Sequence, residues 1–210
     1  MTDLEFSCTG AETDVVAAAP TMLLKLRISE SSGTPIHAVA LRCQLRIEPQ
    51  RRRYDDAEAE ALLDLFGDRT RWGQSLKPLQ FAFISQVIPS FRDEIEVELP
   101  IPCSYDFEVA ANKYFYALRT GEVPLLLLFS GTVFTSGPAG ISVLPVPWHK
   151  ETNYRLPVDV WRRTMQQHFP GTAWLRLREG TFDSLHRYRA RQALVSWDEA
   201  IERLLKEAGQ

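Results

Sequence analysis

Cysteine is scarce in this chain: Cys8, Cys43 and Cys103 are the only three in 210 residues. They stand far apart with no Cys-x-x-Cys pair, which excludes a disulfide framework, supplies no zinc-type ligand spacing, and fits a reducing compartment. Histidine is equally thin, since His37, His149, His168 and His186 are scattered and form neither His-x-His nor His-Glu-x-x-His. Long apolar runs are missing too. The longest, "VPLLLLF" at residues 123–129, is far short of the roughly 20 residues that span a bilayer. The opening "MTDLEFSCTG" has neither the basic start nor the apolar stretch of a secretory signal, so a cytoplasmic location without membrane insertion is expected. Charge of one sign is not in excess: 24 basic residues against 27 acidic ones give a net charge of −3, which argues against a general nucleic-acid partner and leaves room only for a local anion site. There is no Gly-x-Gly-x-x-Gly, no Walker loop, no strand-helix alternation and no internal repeat, and no cofactor or metal is expected.

What the chain does have is apolar content, 45%, enough for a core without disulfide or metal support, and a single domain is expected. Met22, Leu24, Leu26 and Ile28 alternate with polar residues, with Leu23 as the exception, and predict a half-buried strand over 21–29. After the turn residues "ESSGTP", positions 37, 39, 41, 43, 45 and 47 repeat the pattern, which puts His37 and Cys43 on the apolar face and predicts a hairpin between the two strands. Asp55 and Glu58 resemble a capping arrangement for a short helix over 56–66 that stops at Gly67. Further strands are expected in "LKPLQFAFISQVIPSF" and "EIEVELPIP", the latter with a solvated carboxylate face. "YDFEVAANKYFYAL" reads as strand passing into helix, and "PLLLLFSGTVFTS" as a fully buried strand that returns through "GPAG" into "ISVLPV". From about Tyr154 the period becomes helical. Pro157 starts a helix to about His168, another runs from Thr181, and the capping box "SWDE" opens a final amphipathic helix. The predicted class is α+β: an antiparallel β-sandwich or curved sheet over 1–150, with a helical segment from 155 to 210 packed on it.

Catalytic motifs are weak. Ser130 in "FSGTVF" precedes a glycine but sits inside a strand pattern, not at a nucleophile elbow. Glu94, Glu96 and Glu98 alternate as any solvated strand face does, and edge carboxylates deter sheet-to-sheet association. Two arginine groups stand out. Arg51, Arg52 and Arg53 lie between a strand end and a capped helix, where a charged corner stabilised by Asp55, Asp56 and Glu58 explains them without any partner. Arg187, Arg189 and Arg191 are interleaved with Tyr188 near Trp174, and planar guanidinium with aromatic rings is the composition interfaces enrich. These six arginines, with Trp148 and Tyr188 as aromatic anchors, form the expected partner-docking set. The alternative is a small-ligand-binding protein or enzyme with a site near 105–108 and 148–151, where Asp106, His149 and Glu151 would converge. Self-association through the aromatic-rich surfaces is compatible with either.

Several stretches, "LRCQLRIEPQRRRYDDAEAE" with "LLDLFG", "YDFEVAANKYFYAL", "GEVPLLLLFSGTVF", and "YRLPVDVWRRTM" with "AWLRL", together resemble an uncharacterised, mainly actinobacterial protein family. That family's genes are associated with clusters encoding actinobacterial-type nickel-iron hydrogenases and their maturation factors. The resemblance spans about residues 20 to 205 and brings no catalytic motif. It implies a non-enzymatic accessory or assembly role whose partners are hydrogenase subunits or maturation factors, without nickel, iron or an iron-sulfur cluster held by this chain.

Overall fold

The computed structural model describes residues 2–103, 109–137, 140–172 and 175–209. The strand part of "YDFEV", with Tyr105 and Asp106, and Trp174 lie outside the described residues. The chain divides into two compact units, 1–173 and 174–210.

In the first unit, β1 (Leu4–Thr13), β2 (Thr21–Glu30) and β5 (Glu94–Pro102) make one antiparallel sheet in the order β1-β2-β5. The second antiparallel sheet has β4 (Leu79–Ile88), β3 (Ile36–Ile47), β6 (Glu122–Gly137) and β7 (Gly140–Pro145) in that order, and β8 (Glu151–Pro157) continues along the edge of β6 that β7 leaves free. Period-two patterning explains both inner faces. Met22, Leu24, Leu26 and Ile28 from β2 share one core with Leu41, Cys43 and Leu45 from β3 and Leu125, Leu127 and Phe129 from β6. Phe6 of β1 stacks on Phe129 of β6, ring centroids 4.3 Å apart, and so joins the two sheets. The α+β class with antiparallel sheets is therefore what the chain adopts.

The expected hairpin between β2 and β3 does not form. The two strands are consecutive, but they belong to different sheets, and the "ESSGTP" segment is a crossover. Glu30 is what makes the crossover stable: its buried carboxylate accepts from the backbone N–H groups of Asp3 and Thr34 and from Ser32 Oγ. Burial opposes ionisation of this group, but the hydrogen bonds from Ser32 and the backbone amides outweigh it and hold the pKa below the usual glutamate range. His37 is also placed differently from expectation. The pairing of β3 with β6 shifts register between Ile36 and Ala38, and the bulge turns His37 to solvent while Ile36 takes the core position. Nor is β6 buried on both faces, because Leu126 and Leu128 are only half covered on its outer side. Strands β1 and β8 had no counterpart in the expectation.

Two insertions close one end of the sandwich. Between β3 and β4 come a 3-10 turn (Pro49–Arg51), α1 (Asp56–Ala61), α2 (Leu63–Phe66), a second 3-10 turn (Arg69–Arg71) and α3 (Trp72–Ser75). Asp55 caps α1 by accepting from Glu58 N–H, and Gly67, at φ 71°, ends α2, as the spacing predicts. Between β5 and β6 lies α4 (Ala110–Ala117). Helix α5 (Val158–His168) follows β8 with Pro157 at its N-cap and packs against β1 and β2. Thr164 Oγ1 bonds Thr13 Oγ1 at 3.0 Å, and the two ring nitrogens of His168 reach Thr164 O and Ala17 O.

The second unit contains α6 (Glu179–Arg191) and α7 (Trp197–Glu207), which meet around Trp197 and its neighbours Phe182 and His186. Ser196 caps α7 by accepting from Glu199 N–H, as the capping-box pattern implies.

Two outcomes check this architecture. Gly131 sits at φ 138° and a Cβ there would come 2.0 Å from Ala40 O on the neighbouring strand, so Gly131→Ala is expected to cost about 3 kcal/mol of unfolding free energy in a denaturant titration. Because the folded-state pKa of Glu30 is depressed, its contribution is present above the ordinary glutamate range and is lost as pH falls through the lower folded value. Unfolding midpoints measured from neutral to acid pH should therefore fall less steeply for Glu30→Gln than for the wild type.

Candidate protein-interaction surface

The outer side of the second sheet carries the opposite set of residues from the core, and the register shows which lie side by side. Val87 of β4 pairs with Ala40 of β3, and Ala40 with Thr132 of β6; Phe83 pairs with Gln44, and Gln44 with Leu128. Further along, Ala38 pairs with Phe134 and Phe134 with Val143 of β7. Four large apolar residues on this face are more than half exposed: Phe83 at 73%, Val87 at 71%, Ile141 at 61% and Val143 at 60%. A solvent-facing sheet side is ordinarily polar. Polar residues stand among the apolar ones here: Gln44 and Glu151 in the Phe83 row, Thr132 in the Val87 row, Ser136 opposite Ile141, and the rows Ser85-Arg42-Ser130 and Gln80-Arg46-Leu126-Asn153. Large apolar side chains left exposed on one sheet face among polar ones make this face a candidate interaction surface.

Two of the expected docking residues border this face. Arg51, exposed, donates from Nη1 to Oδ1 of Asn153, which stands beside Leu126 in the outer row of β8. Trp148 is 92% exposed in the turn between β7 and β8, closed by Lys150 N–H donating to Pro147 O. Sequence reasoning missed Phe83, Val87, Ile141 and Val143. The signal was present as apolar residues at the wrong parity of their strands, but which face is inner becomes readable only when the sheets are assembled.

Arg52 has a different place from its two neighbours. Its side chain is 9% exposed, against 4% for Glu58, and its Nη2 lies 2.6 Å from Glu58 Oε1. Nη2 also donates to Thr120 O, and Nη1 to Glu122 O, each at 2.9 Å. Glu58 Oε1 accepts in addition from Arg119 N–H. The guanidinium is thus enclosed by the two insertions and is not available to a partner, while Arg53 is exposed. Beside it Tyr114 and Tyr54 form a chain in which Tyr54 donates to Pro49 O, and burial pushes the Tyr54 hydroxyl up to about 12.

The arginines of the second unit are spread over the surface of α6. The Arg189 guanidinium lies 4.0 Å from the Trp197 ring centre, Arg187 reaches Ser184 Oγ at 3.4 Å, and Arg191 is exposed. Tyr188 donates to Glu207 Oε1 at 3.3 Å. The first arginine group belongs to one unit and this one to the other. Of the alternative site, His149 and Glu151 are both exposed, and residues 105–108 lie outside the described residues. Among the described residues no group of three or more His, Cys, Asp and Glu could hold a metal ion. The thiols of Cys8, Cys43 and Cys103 are pushed up to about 12 by burial, the opposite of an activated nucleophile. No helix among the described residues is long and apolar enough to cross a membrane.

Breaking a buried ion pair from one side leaves the partner charge uncompensated, so Arg52→Ala is expected to cost roughly 3–5 kcal/mol. Arg51→Ala and Arg53→Ala should leave the denaturation midpoint unchanged. Parallel denaturant titrations of the three variants read the difference.

No curated protein matches the sequence. Among solved structures, one named for ApaA from Bordetella pertussis shares 12% identity with a TM-score of 0.27, over 74% of this chain and 95% of that one. AggA, the major subunit of aggregative adherence fimbriae type I from Escherichia coli, shares 10% identity with a TM-score of 0.26, over 75% and 93%. Beta-glucosidase 3B from Thermotoga neapolitana shares 13% with a TM-score of 0.23, over 73% of this chain and 17% of that enzyme. At such TM-scores these likenesses decide nothing. A family match extends over residues 1–210, and the chain belongs to that family, the family of unknown function DUF6084.

Proposed function

We propose that this protein is a non-enzymatic cytoplasmic docking protein, an accessory or assembly factor for a nickel-iron hydrogenase, that works through protein-protein contacts. The observation that carries the docking part is the outer face of the second sheet, where Phe83 and Val87 of β4 and Ile141 and Val143 of β7, with β3 and β6 between them, are all more than half exposed. Leaving such side chains in water forgoes about 1.5–3 kcal/mol each relative to burial, and a partner surface that covers them recovers much of it. Arg51 and Trp148 at the border supply the residue types that anchor interfaces, a planar guanidinium for carboxylates and an indole with one apolar face. The hydrogenase part rests on the resemblance of stretches such as "LRCQLRIEPQRRRYDDAEAE" and "GEVPLLLLFSGTVF" to proteins whose genes accompany that enzyme.

The test is affinity capture with the tagged full chain from a host expressing an actinobacterial-type nickel-iron hydrogenase, read by mass spectrometry. Wild-type protein should bring down hydrogenase subunits or maturation factors, and a Phe83→Asp, Val143→Asp double variant, altered only at exposed positions, should recover at least tenfold less. Capture of none of these proteins by the wild type would sink the hydrogenase reading. Undiminished capture by the variant would remove the sheet face from it.

A further inference from the structure

A concave feature lies away from that sheet face, in the helical cap of the first unit. Ala57, Ala61 and Asp64 stand at i, i+4 and i+7, so they form one face along α1 and α2. Opposite them Lys113, Tyr116 and Ala117 form one face of α4, and between the two runs an open groove of about 620 Å³. Its far end is closed by Arg119, just past α4, and by Arg162 of α5. The alanines keep the floor low and uncharged. Tyr116 is 61% exposed at the lip.

The charges along this groove are unequal. Asp64 Oδ2 is 2.8 Å from Lys113 Nζ, which neutralises that pair. Arg162 Nη2 donates to the backbone carbonyl of Leu118, at the C-terminal end of α4, but it has no carboxylate partner among the described residues. Arg119 uses its backbone N–H on Glu58, and among the described residues its side chain likewise has no carboxylate partner. Two guanidinium groups therefore face one groove in a chain whose net charge is −3. Guanidinium binds carboxylate through paired, charge-assisted hydrogen bonds. The groove is open, whereas small-molecule sites enclose most of their ligand. An extended or helical segment could lie along it, with apolar side chains on the alanine floor and carboxylates at the arginine end.

From this charge complementarity we propose that the groove between α1, α2 and α4 is a docking site for an acidic peptide segment of a partner protein, with Arg119 and Arg162 as its carboxylate-binding residues. It shares no residue with the exposed sheet face, so either surface can fail without the other.

Fluorescence anisotropy of the full chain tests it, with a dye-labelled peptide of alternating glutamate and leucine as probe and its glutamine-leucine counterpart as control. The acidic peptide should bind saturably, weaken as salt is raised, and bind at least tenfold more weakly to Arg119→Glu. Ala61→Glu, which places a carboxylate on the opposite wall at an exposed position, should weaken it similarly and serves if Arg119→Glu lowers the melting temperature. The proposal is overturned if the wild type does not bind, if the glutamine peptide binds as well, or if both variants bind with unchanged affinity. Displacement of the peptide by micromolar inorganic phosphate overturns it as well, because the groove would then be a small-anion site.

Discussion

The enclosure of Arg52 with Glu58 is the interaction on which the capped end of the sandwich depends. Two charges taken out of water are costly unless each is paired and its remaining hydrogen-bonding groups are used. Here Thr120 O, Glu122 O and Arg119 N–H supply most of these partners, and Arg52 Nε is buried without one among the described residues. Those groups come from the segment that follows α4, so the pair fastens the insertion after β3 to the one before β6. Tyr54, Tyr114, Phe66 and Phe115 then pack edge to face beside it. Gly121 belongs to the same arrangement, because a Cβ at its φ of 83° would stand 3.3 Å from Arg52 Nη1.

With that end fastened, the rest of the first unit is organised around β6, which runs beside β3 for its whole paired length while β7 and then β8 share its other edge. Its inner residues supply the centre of the core. Of its outer ones, Leu128 lies in the row of Phe83 and Phe134 in the row of Val143. One strand thus contributes to stability with one parity and to the candidate interaction surface with the other. The groove in the cap has a comparable double dependence, since Arg162 both caps the end of α4 and faces the opening.

The arginine run "RRR" illustrates how far residue type alone carries. Three identical neighbours suggest one shared role, yet Arg51 borders the sheet face, Arg52 is enclosed and Arg53 is exposed. Consecutive residues in extended or turn backbone point in different directions. Each guanidinium therefore meets whatever the fold brings to its side. The partners of Arg52 at Thr120 and Glu122 lie 68 and 70 residues along the chain, beyond the reach of any local pattern.

What the sequence determined by itself was whatever depends on spacing between near neighbours. The inner faces of β2 and β5 and that of β3 from Val39 onward, the Asp55 and Ser196 caps, the stop at Gly67 and the helical period after Pro157 follow from alternation, propensity and capping chemistry, and they stand as read. What only the tertiary structure decided was which strands pair. Local alternation is equally satisfied by a hairpin and by a crossover; the chain adopts the crossover, where the buried carboxylate of Glu30 is bound to Asp3 and Thr34. The exposed face of Phe83, Val87, Ile141 and Val143, and the meeting of Arg119 and Arg162 at one groove, are likewise products of assembly. Each requires strands or helices distant in sequence to lie side by side, and no periodicity within a single element encodes that.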